Sequence, residues 1–321
     1  MKAIMIEGTG GVEVMRYTDV PNPVAADGQV VVDVAAAGVN FMDIGARRGV
    51  VGGGYKPTIL GVEGAGRIRE VGPGVTDFAP GDRVAWVFAP ASYAERVVVA
   101  ADALIHLPDS IDDYSAASLM MQGLTASHFA TDFYPVREGD VALVHAAAGG
   151  LGQLLSQIIK LRGGTVIGRV SSDTKIEAAQ AAGADHVIVD KVGRFAEQVL
   201  QLTDGRGVDV VYDGSGPATF DGSLKALRRA GTFCWYGPVL GAPDTLHLMD
   251  LPRSVKIGYA VFFDHIPTPM LLRERTKRLF DWVQEGHLRL TPATTFPLEE
   301  AAMAHQRMES RATQGKLLLI P

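Results

Sequence analysis

The chain of 321 residues has a single cysteine, Cys234. One thiol excludes an internal disulfide, and no Cys/His cluster has the spacing of a zinc site. The opening stretch "MKAIMIEGTG" lacks both the long apolar run and the small-residue cleavage site of a secretory signal, and it reads as a first strand. No apolar stretch elsewhere approaches the length of a membrane span. Positive charge is not in excess either. The formal net charge is -6, which argues against nucleic acid or an anionic membrane as the main partner. Internal repeats and low-complexity linkers are missing as well. These absences point to a cytoplasmic globular protein.

What is present fits that class. Hydrophobic residues make up 47% and charged residues 21%, enough apolar material for a large core. The length favours two domains. Residues 1–122 carry short Val/Ile-rich runs such as "QVVVDVAAAGV" and "YAERVVVA", separated by Gly and Pro signals, which predicts a compact β domain. "SAASLMMQGLTASHFA" reads as helical, with a break at Gly123. From Asp140 onward apolar strands alternate with helices: "VALVHAA", "LGQLLSQIIKLRG", "TVIGRV", "DTKIEAAQAAGA" with Asp173 as N-cap and Gly183 as stop, then "HVIVD", "VDVVYDGSG" and "GTFCWYG". That alternation predicts a doubly wound parallel sheet over residues 123–264. A helix near 269–285 and short strands ending in "KLLLIP" close the chain.

Residues 145–152, "HAAAGGLG", sit between the first of these strands and the first helix. Gly149 and Gly152 complete an A-x-x-G-x-x-G spacing that starts at Ala146. A strand, a glycine turn and a helix form the dinucleotide-binding βαβ unit, in which Gly149 and Gly150 let the backbone approach a pyrophosphate. The helix starting near Leu151 would present free N–H groups and a positive dipole end to it. Close helix–sheet packing without a ligand is the alternative use of the same small residues. At the end of the second strand, "GRVSSDTK" has no acid for a ribose hydroxyl; Arg169, Ser171, Ser172 and Lys175 suit a 2′-phosphate instead. A solvated helix start, with Lys175 as surface charge, is the competing reading.

Several stretches together resemble one family: "AAGVNFMD" (36–43), "GVEGAGRIREVGPGV" (61–75), "GDRV" (81–84), "GLTA" (123–126), "HAAAGGLG", "VVYDGSG" (210–216) and "ESRATQGKLLLIP" (309–321). The chain resembles, over essentially its full length, the zinc-free quinone oxidoreductases related to zeta-crystallin, within the medium-chain dehydrogenase/reductase superfamily. The resemblance implies a GroES-like β-rich domain over 1–122, completed by 265–321, and a Rossmann domain over 123–264 that binds NADPH. It also implies a homodimer. Zinc-dependent relatives place a Cys at Gly38 or Val39 and a His at Gly61-Val62-Glu63; both ligands are missing here, so no metal is expected. Asn40 and Thr125 are implied at the nicotinamide. Ser171 and Lys175 are implied at the adenosine phosphate. Tyr236 and Gly237 fall on a loop along the cofactor, Phe262 and Phe263 on a wall near the nicotinamide, and Arg311 on the cofactor side. Two positions depart from the family: Gly45 replaces a common Tyr, and Asp190 replaces another, where an acid would repel a 2′-phosphate. Tyr55 is the candidate to supply a substrate-side hydroxyl in place of Gly45.

The implied activity is hydride transfer from NADPH to quinones or related electron-poor conjugated carbonyls. The enone or enoyl C=C bond is the alternative acceptor. A nucleotide-binding protein with little turnover is the reading from a different class.

Overall fold

The computed structural model describes residues 1–51, 58–241 and 245–321. The chain divides into two compact units, one of Met1–Met121 with Ile266–Gln284 and Leu290–Pro321, the other of Gln122–His265 with Glu285–Arg289. Glu285–Arg289 therefore groups with the second unit and not with the C-terminal tail.

The first unit is β-rich. Its strands are β1 (Lys2–Ile6), β2 (Met15–Asp19), β3 (Gln29–Gly38), β4 (Thr58–Ile59), β5 (Glu63–Val71), β6 (Arg83–Val87), β7 (Arg96–Ala100) and β8 (Leu104–His106), with helix α1 (Phe41–Arg48) after β3. β3 is central. Its valines Val30, Val31 and Val32 are all buried, as β-branched residues on a strand paired along both edges should be. Helix α2 (Asp113–His128) runs straight through Gly123, so the expected break is not there. The unit boundary falls inside α2, and a π turn, Phe129–Phe133, follows it.

The second unit alternates strand and helix: β9 (Val141–His145), α3 (Gly150–Leu161), β10 (Thr165–Val170), α4 (Ile176–Ala181), β11 (His186–Val189), α5 (Ala196–Leu202), β12 (Val208–Asp213), α6 (Pro217–Ala226), β13 (Leu227–Trp235) and β14 (Lys256–Tyr259). Among the described residues these strands form one six-stranded sheet in the order β11-β10-β9-β12-β13-β14, every pair parallel. The chain winds outward from β9, returns, and winds outward again from β12. This is the Rossmann order, with its switch point between β9 and β12. Leu143, Ile167, Ile188, Val211 and Phe233, one from each of five strands, pack with Phe195 just ahead of α5, Val199 in α5, and Phe220 and Leu224 in α6. Burial of each such side chain contributes about 1.5–3 kcal/mol. α3 shows why its sequence is helical: Leu154, Leu155, Ile158 and Ile159 are buried on one face, and Gly163, at φ +80°, ends it. Asp173 does not cap a helix. It opens a 3-10 turn, Asp173–Lys175, and the α-helix proper starts at Ile176.

The C-terminal segments return to the first unit as α7 (Pro269–Gln284), β15 (Thr294–Pro297), α8 (Ala301–Glu309) and β16 (Leu317–Ile320). β16 pairs with the end of β3, Leu318 opposite Gly38. A buried chain ties α8 to α1. Arg47 donates to His305 Nδ1 (3.3 Å), and His305 Nε2 meets Tyr93 Oη (3.2 Å). The Tyr93 hydroxyl donates in turn to Asp43 (3.0 Å). Arg47 can only donate, so His305 carries its proton on Nε2.

Candidate functional site

The stretch "HAAAGGLG" occupies the C-terminal end of β9, at the switch point. Its small residues serve different ends. A side chain at Gly152 would lie 2.3 Å from Ala146 O and 2.7 Å from Ala147 Cα, so this glycine lets α3 sit close against the turn. At Gly150 the missing side chain makes room for Gln122, whose Oε1 would be 2.0 Å away. At Gly149, by contrast, a side chain would meet only Ala146 O, at 3.2 Å, and φ is -78°. That position faces otherwise open space. The turn thus packs the helix and also leaves an approach to the backbone. The first N–H of α3 with a helical acceptor is that of Gln153, bonded to Gly149 O at 2.9 Å. The N–H groups of Gly150, Leu151 and Gly152 precede it. No side chain caps α3 and no acid sits in its first turn. A helix start with a positive dipole end, no side-chain cap and no counter-charge in its first turn can take an anion.

On the neighbouring strand, β10, the chain emerges at Ser171. Lys175 Nζ donates to Ser171 Oγ at 3.2 Å, so two of the residues implied at the adenosine phosphate stand together. Lys175 holds this place from the 3-10 turn, just ahead of α4. Arg169 does not join them. Its guanidinium is buried and grips Asp190 through two nitrogens, both at 2.9 Å. Asp190 also accepts the backbone N–H groups of Val192, Gly193 and Arg194. Burial pushes the Asp190 carboxyl upward, but these donors outweigh it and hold the group below the ordinary carboxylate range. The acid expected to repel a 2′-phosphate is therefore neutralised by Arg169 and its own loop.

The same guanidinium reaches His145 Nδ1 (3.5 Å). His145 Nε2 lies 2.9 Å from Ser223 Oγ, which donates to Asp213 Oδ2 at 2.7 Å. Asp213 Oδ1 takes the N–H of Ser215 (2.8 Å) and the hydroxyl of Thr219 (3.0 Å). A buried polar chain from Asp190 to Asp213 thus runs beneath the ends of β11, β10, β9 and β12. Burial lowers the His145 pKa to about 4 and keeps the ring neutral.

The other residues implied on the cofactor side in this unit come from several elements. Tyr236 and Gly237 follow β13, with the Tyr236 ring 4.8 Å from Phe129 and Gly237 at φ +72°. Thr125 lies in the C-terminal part of α2. Phe262 and Phe263 belong to a 3-10 turn, not to a strand, and their rings meet edge-on at 6.2 Å. Neighbouring residues on a strand would point to opposite faces; this turn keeps the rings in contact.

In the first unit Asn40 is held from three sides. Its backbone N–H donates to Asp43 (2.8 Å), its Nδ2 donates to Glu63 Oε1 (2.7 Å), and its Oδ1 accepts from Lys316 Nζ (3.0 Å). Glu63 is fully buried, pairs with Lys316, and accepts the Met121 N–H at 2.7 Å. Glu63 and Lys316 therefore fix the rotamer of Asn40. A side chain at Gly38 would run into the Glu63 carboxylate, 2.2 Å away, so this Glu63 occupies the space a Cys ligand at that position would need. Arg311 is exposed, adopts φ +56°, and precedes β16. Gly45 is buried within α1. Tyr55 lies outside the described residues.

Three groups of polar residues were not singled out from the sequence as parts of a site. One is His145 with Ser223 and Asp213, one is Lys316, and one is His128 with Asp132 and His265, whose ligand atoms lie within 4.8 Å of one another. Their partners are far apart in the chain, and only the i,i+4 spacing of His128 and Asp132 was visible locally.

A Rossmann sheet with an uncapped glycine turn, on one chain with a GroES-like β unit, defines a medium-chain dehydrogenase/reductase. The chain matches the family described as alcohol dehydrogenase GroES-like domain over residues 26–109 and that described as zinc-binding dehydrogenase over residues 182–319. It is 37% identical to a 2-haloacrylate reductase of a Burkholderia species, over 99% of this chain and 98% of that protein. It is 36% identical to a quinone oxidoreductase of Pseudomonas aeruginosa, over 100% and 99%. The crystal structure of Escherichia coli quinone oxidoreductase complexed with NADPH superposes with a TM-score of 0.96 at 33% identity, covering 100% of both chains. The chain belongs to the quinone oxidoreductase family of this superfamily and is an oxidoreductase of that type. No helix among the described residues is long and apolar enough to cross a membrane.

Proposed function

We propose that this enzyme is an NADPH-dependent reductase that passes a hydride to quinones or related electron-poor conjugated carbonyls, without a metal. The observation that carries the reading is the uncapped N-terminus of α3 with the Ser171–Lys175 pair just past the adjacent strand. When bound, NADPH supplies the hydride. The N–H groups of Gly150 and Leu151, next to Gly149, hold the pyrophosphate, and Ser171 and Lys175 hold the 2′-phosphate. Asn40 and Thr125 position the nicotinamide and the acceptor. Tyr236, Gly237, Phe262, Phe263 and Arg311 contact the cofactor, and Tyr55 serves the substrate side. A quinone takes its proton from water, so a tuned acid is not needed. The metal-free reading is supported by Gly38, Val39 and Val62, none of which can ligate zinc. A homodimer in the cytoplasm belongs to the same proposal and rests on the family resemblance and the single cysteine.

The relationship to a 2-haloacrylate reductase favours a second reading, in which the acceptor is an activated C=C bond. NADPH consumption with a panel of quinones, enones and enoyl thioesters separates the two. Turnover of quinones at least tenfold faster than of the others supports the first reading. The reverse order selects C=C reduction. Tight NADPH binding with no turnover on any of them leaves a nucleotide-binding role.

A further inference from the structure

We propose that His128, Asp132 and His265 form a binding site for a divalent transition-metal ion in the second unit, apart from the positions where zinc-dependent relatives hold their metal. His128 is the last residue of α2 and Asp132 lies in the π turn that follows, four residues on and so on the same side. Such π turns are frequent at functional sites. His265 follows the 3-10 turn Phe262–Asp264 and is anchored by its N–H to Phe262 O at 2.9 Å.

The three side chains bring one ligand atom each to within 4.8 Å of one another. The two imidazoles are buried side by side, with ring centroids 5.1 Å apart and an interplanar angle of 39°. His265 Nδ1 lies 2.8 Å from Asp132 Oδ2. The second oxygen of Asp132 lies 2.9 Å from Thr131 Oγ1, whose one proton is shared between it and Ser127 O at 2.8 Å. Two imidazole nitrogens and one carboxylate oxygen form a borderline donor set that suits Zn2+, Co2+ or Ni2+ and not Mg2+ or Ca2+. Asp132 is 33% exposed, which leaves a route for the ion and a fourth position for water. Ligands at 2.0–2.1 Å from a tetrahedral ion stand roughly 3.3 Å from one another. The Asp132–His265 pair must open by about half an ångström to reach that separation and His128 must close in, both by side-chain rotation. A bound ion would clamp the end of α2 to the segment after β14.

The test uses the full chain, stripped with chelator, and reads binding rather than turnover. Zn2+ is titrated calorimetrically, and Co2+ is added to read the visible band of a four-coordinate site. The expected result is one ion per chain and a thermal midpoint raised by Zn2+. Affinity should fall at least tenfold in His128→Ala, His265→Ala and Asp132→Asn. His287→Ala is the control, because exposed His287 and Glu285, 3.1 Å apart, are the neighbouring pair able to trap an adventitious ion. If the ring deletions unfold the protein, Asp132→Asn decides, since it keeps both rings and removes one ligand at the surface. No saturable binding by the wild type, unchanged binding in Asp132→Asn, or loss of binding in His287→Ala each overturns the proposal.

Discussion

Replacing Lys316 by Met removes the ammonium from a carboxylate that has no access to water. The side chains of Glu63 and Lys316 are 0% and 3% exposed. Removing one partner of a buried pair costs about 3–5 kcal/mol, because the charge left behind is uncompensated. Glu63 keeps two donors, Asn40 Nδ2 and the Met121 N–H, both at 2.7 Å, so the lower end of that range applies. A loss of about 3 kcal/mol corresponds to roughly 6–12 °C in the thermal midpoint at 2–4 °C per kcal/mol. The double variant Glu63→Gln/Lys316→Met removes both charges of the pair and should recover at least about 1 kcal/mol of the loss. Urea unfolding followed by tryptophan fluorescence measures each term. A single variant within about 1 kcal/mol of wild type at pH 8, or a double variant less stable than the single, would refute the assignment of Glu63 as a charged partner.

Lys175→Ala should weaken NADPH by roughly ten- to a hundredfold, from a charge-assisted contact of about 1.5–3 kcal/mol, and leave NADH nearly unchanged; equal weakening of both cofactors in a fluorescence titration defeats the 2′-phosphate assignment. Gly149→Val should cut NADPH affinity at least tenfold with a thermal midpoint close to wild type, since the backbone there accepts any residue; normal binding would mean that the turn serves packing alone. Reductase turnover should survive exhaustive chelation even if Zn2+ binds at His128, Asp132 and His265, and activity that returns only with added metal counts against the metal-free reading. His145, with its pKa lowered to about 4 by burial, and His305, lowered to about 3 by burial and by Arg47, contribute stability that is complete above pH 6.5 and is lost as pH falls toward 4. Each loss is on the order of 3 kcal/mol at pH 4, so the urea midpoint of His145→Gln should fall less steeply than that of wild type between pH 6.5 and 4; parallel slopes exclude the assignment.

Buried Asp43 acts against this acid-side loss. Burial raises its pKa to about 7, against the hydrogen bonds from Asn40 and Tyr93, so its cost is incurred as pH rises from about 4 to 7. The two trends overlap in the same window. A flat stability profile in wild type would therefore not argue against the histidines, which is why the variant's slope and not the wild-type curve carries the test.

Local pattern made much of the second unit legible. Apolar runs four to six residues long, a 3.6-residue period in α3 and glycines at both ends of that helix are properties of neighbouring residues, and the Rossmann order follows from them. The first unit was legible as β structure but not in its pairing, because β3 takes partners from both before and after the second unit. Side-chain partnerships were the least accessible. Arg169 read as a phosphate ligand because cations at that strand end often are, and Asp190 read as a repulsive acid for the same local reason. Parallel pairing sets Arg169 opposite Ile188, two residues from Asp190, and turns two misread charges into one neutral pair. Asp173 looked like a helix cap because it precedes an amphipathic run, yet the chain completes a 3-10 turn first. Lys316 stands 253 residues from Glu63, and nothing in either local sequence shows that they meet.

The buried chain from Asp190 to Asp213 explains why charges are placed under a nucleotide turn at all. Apolar fillings of the same volume are often at least as stable. They would not, however, reach the backbone of the loops above. Asp190 holds the N–H groups of residues 192–194, and Asp213 holds Ser215 and Thr219, so the carboxylate at each end fixes the loop that follows its own strand, β11 or β12. Arg169 and the neutral His145 connect the two ends across the intervening strands. Loops pinned from below need not be ordered by the ligand, which lowers the entropic cost of binding. A site that must hold a pyrophosphate by backbone N–H groups gains most from such support, because a misplaced loop cannot be corrected by a side-chain rotation.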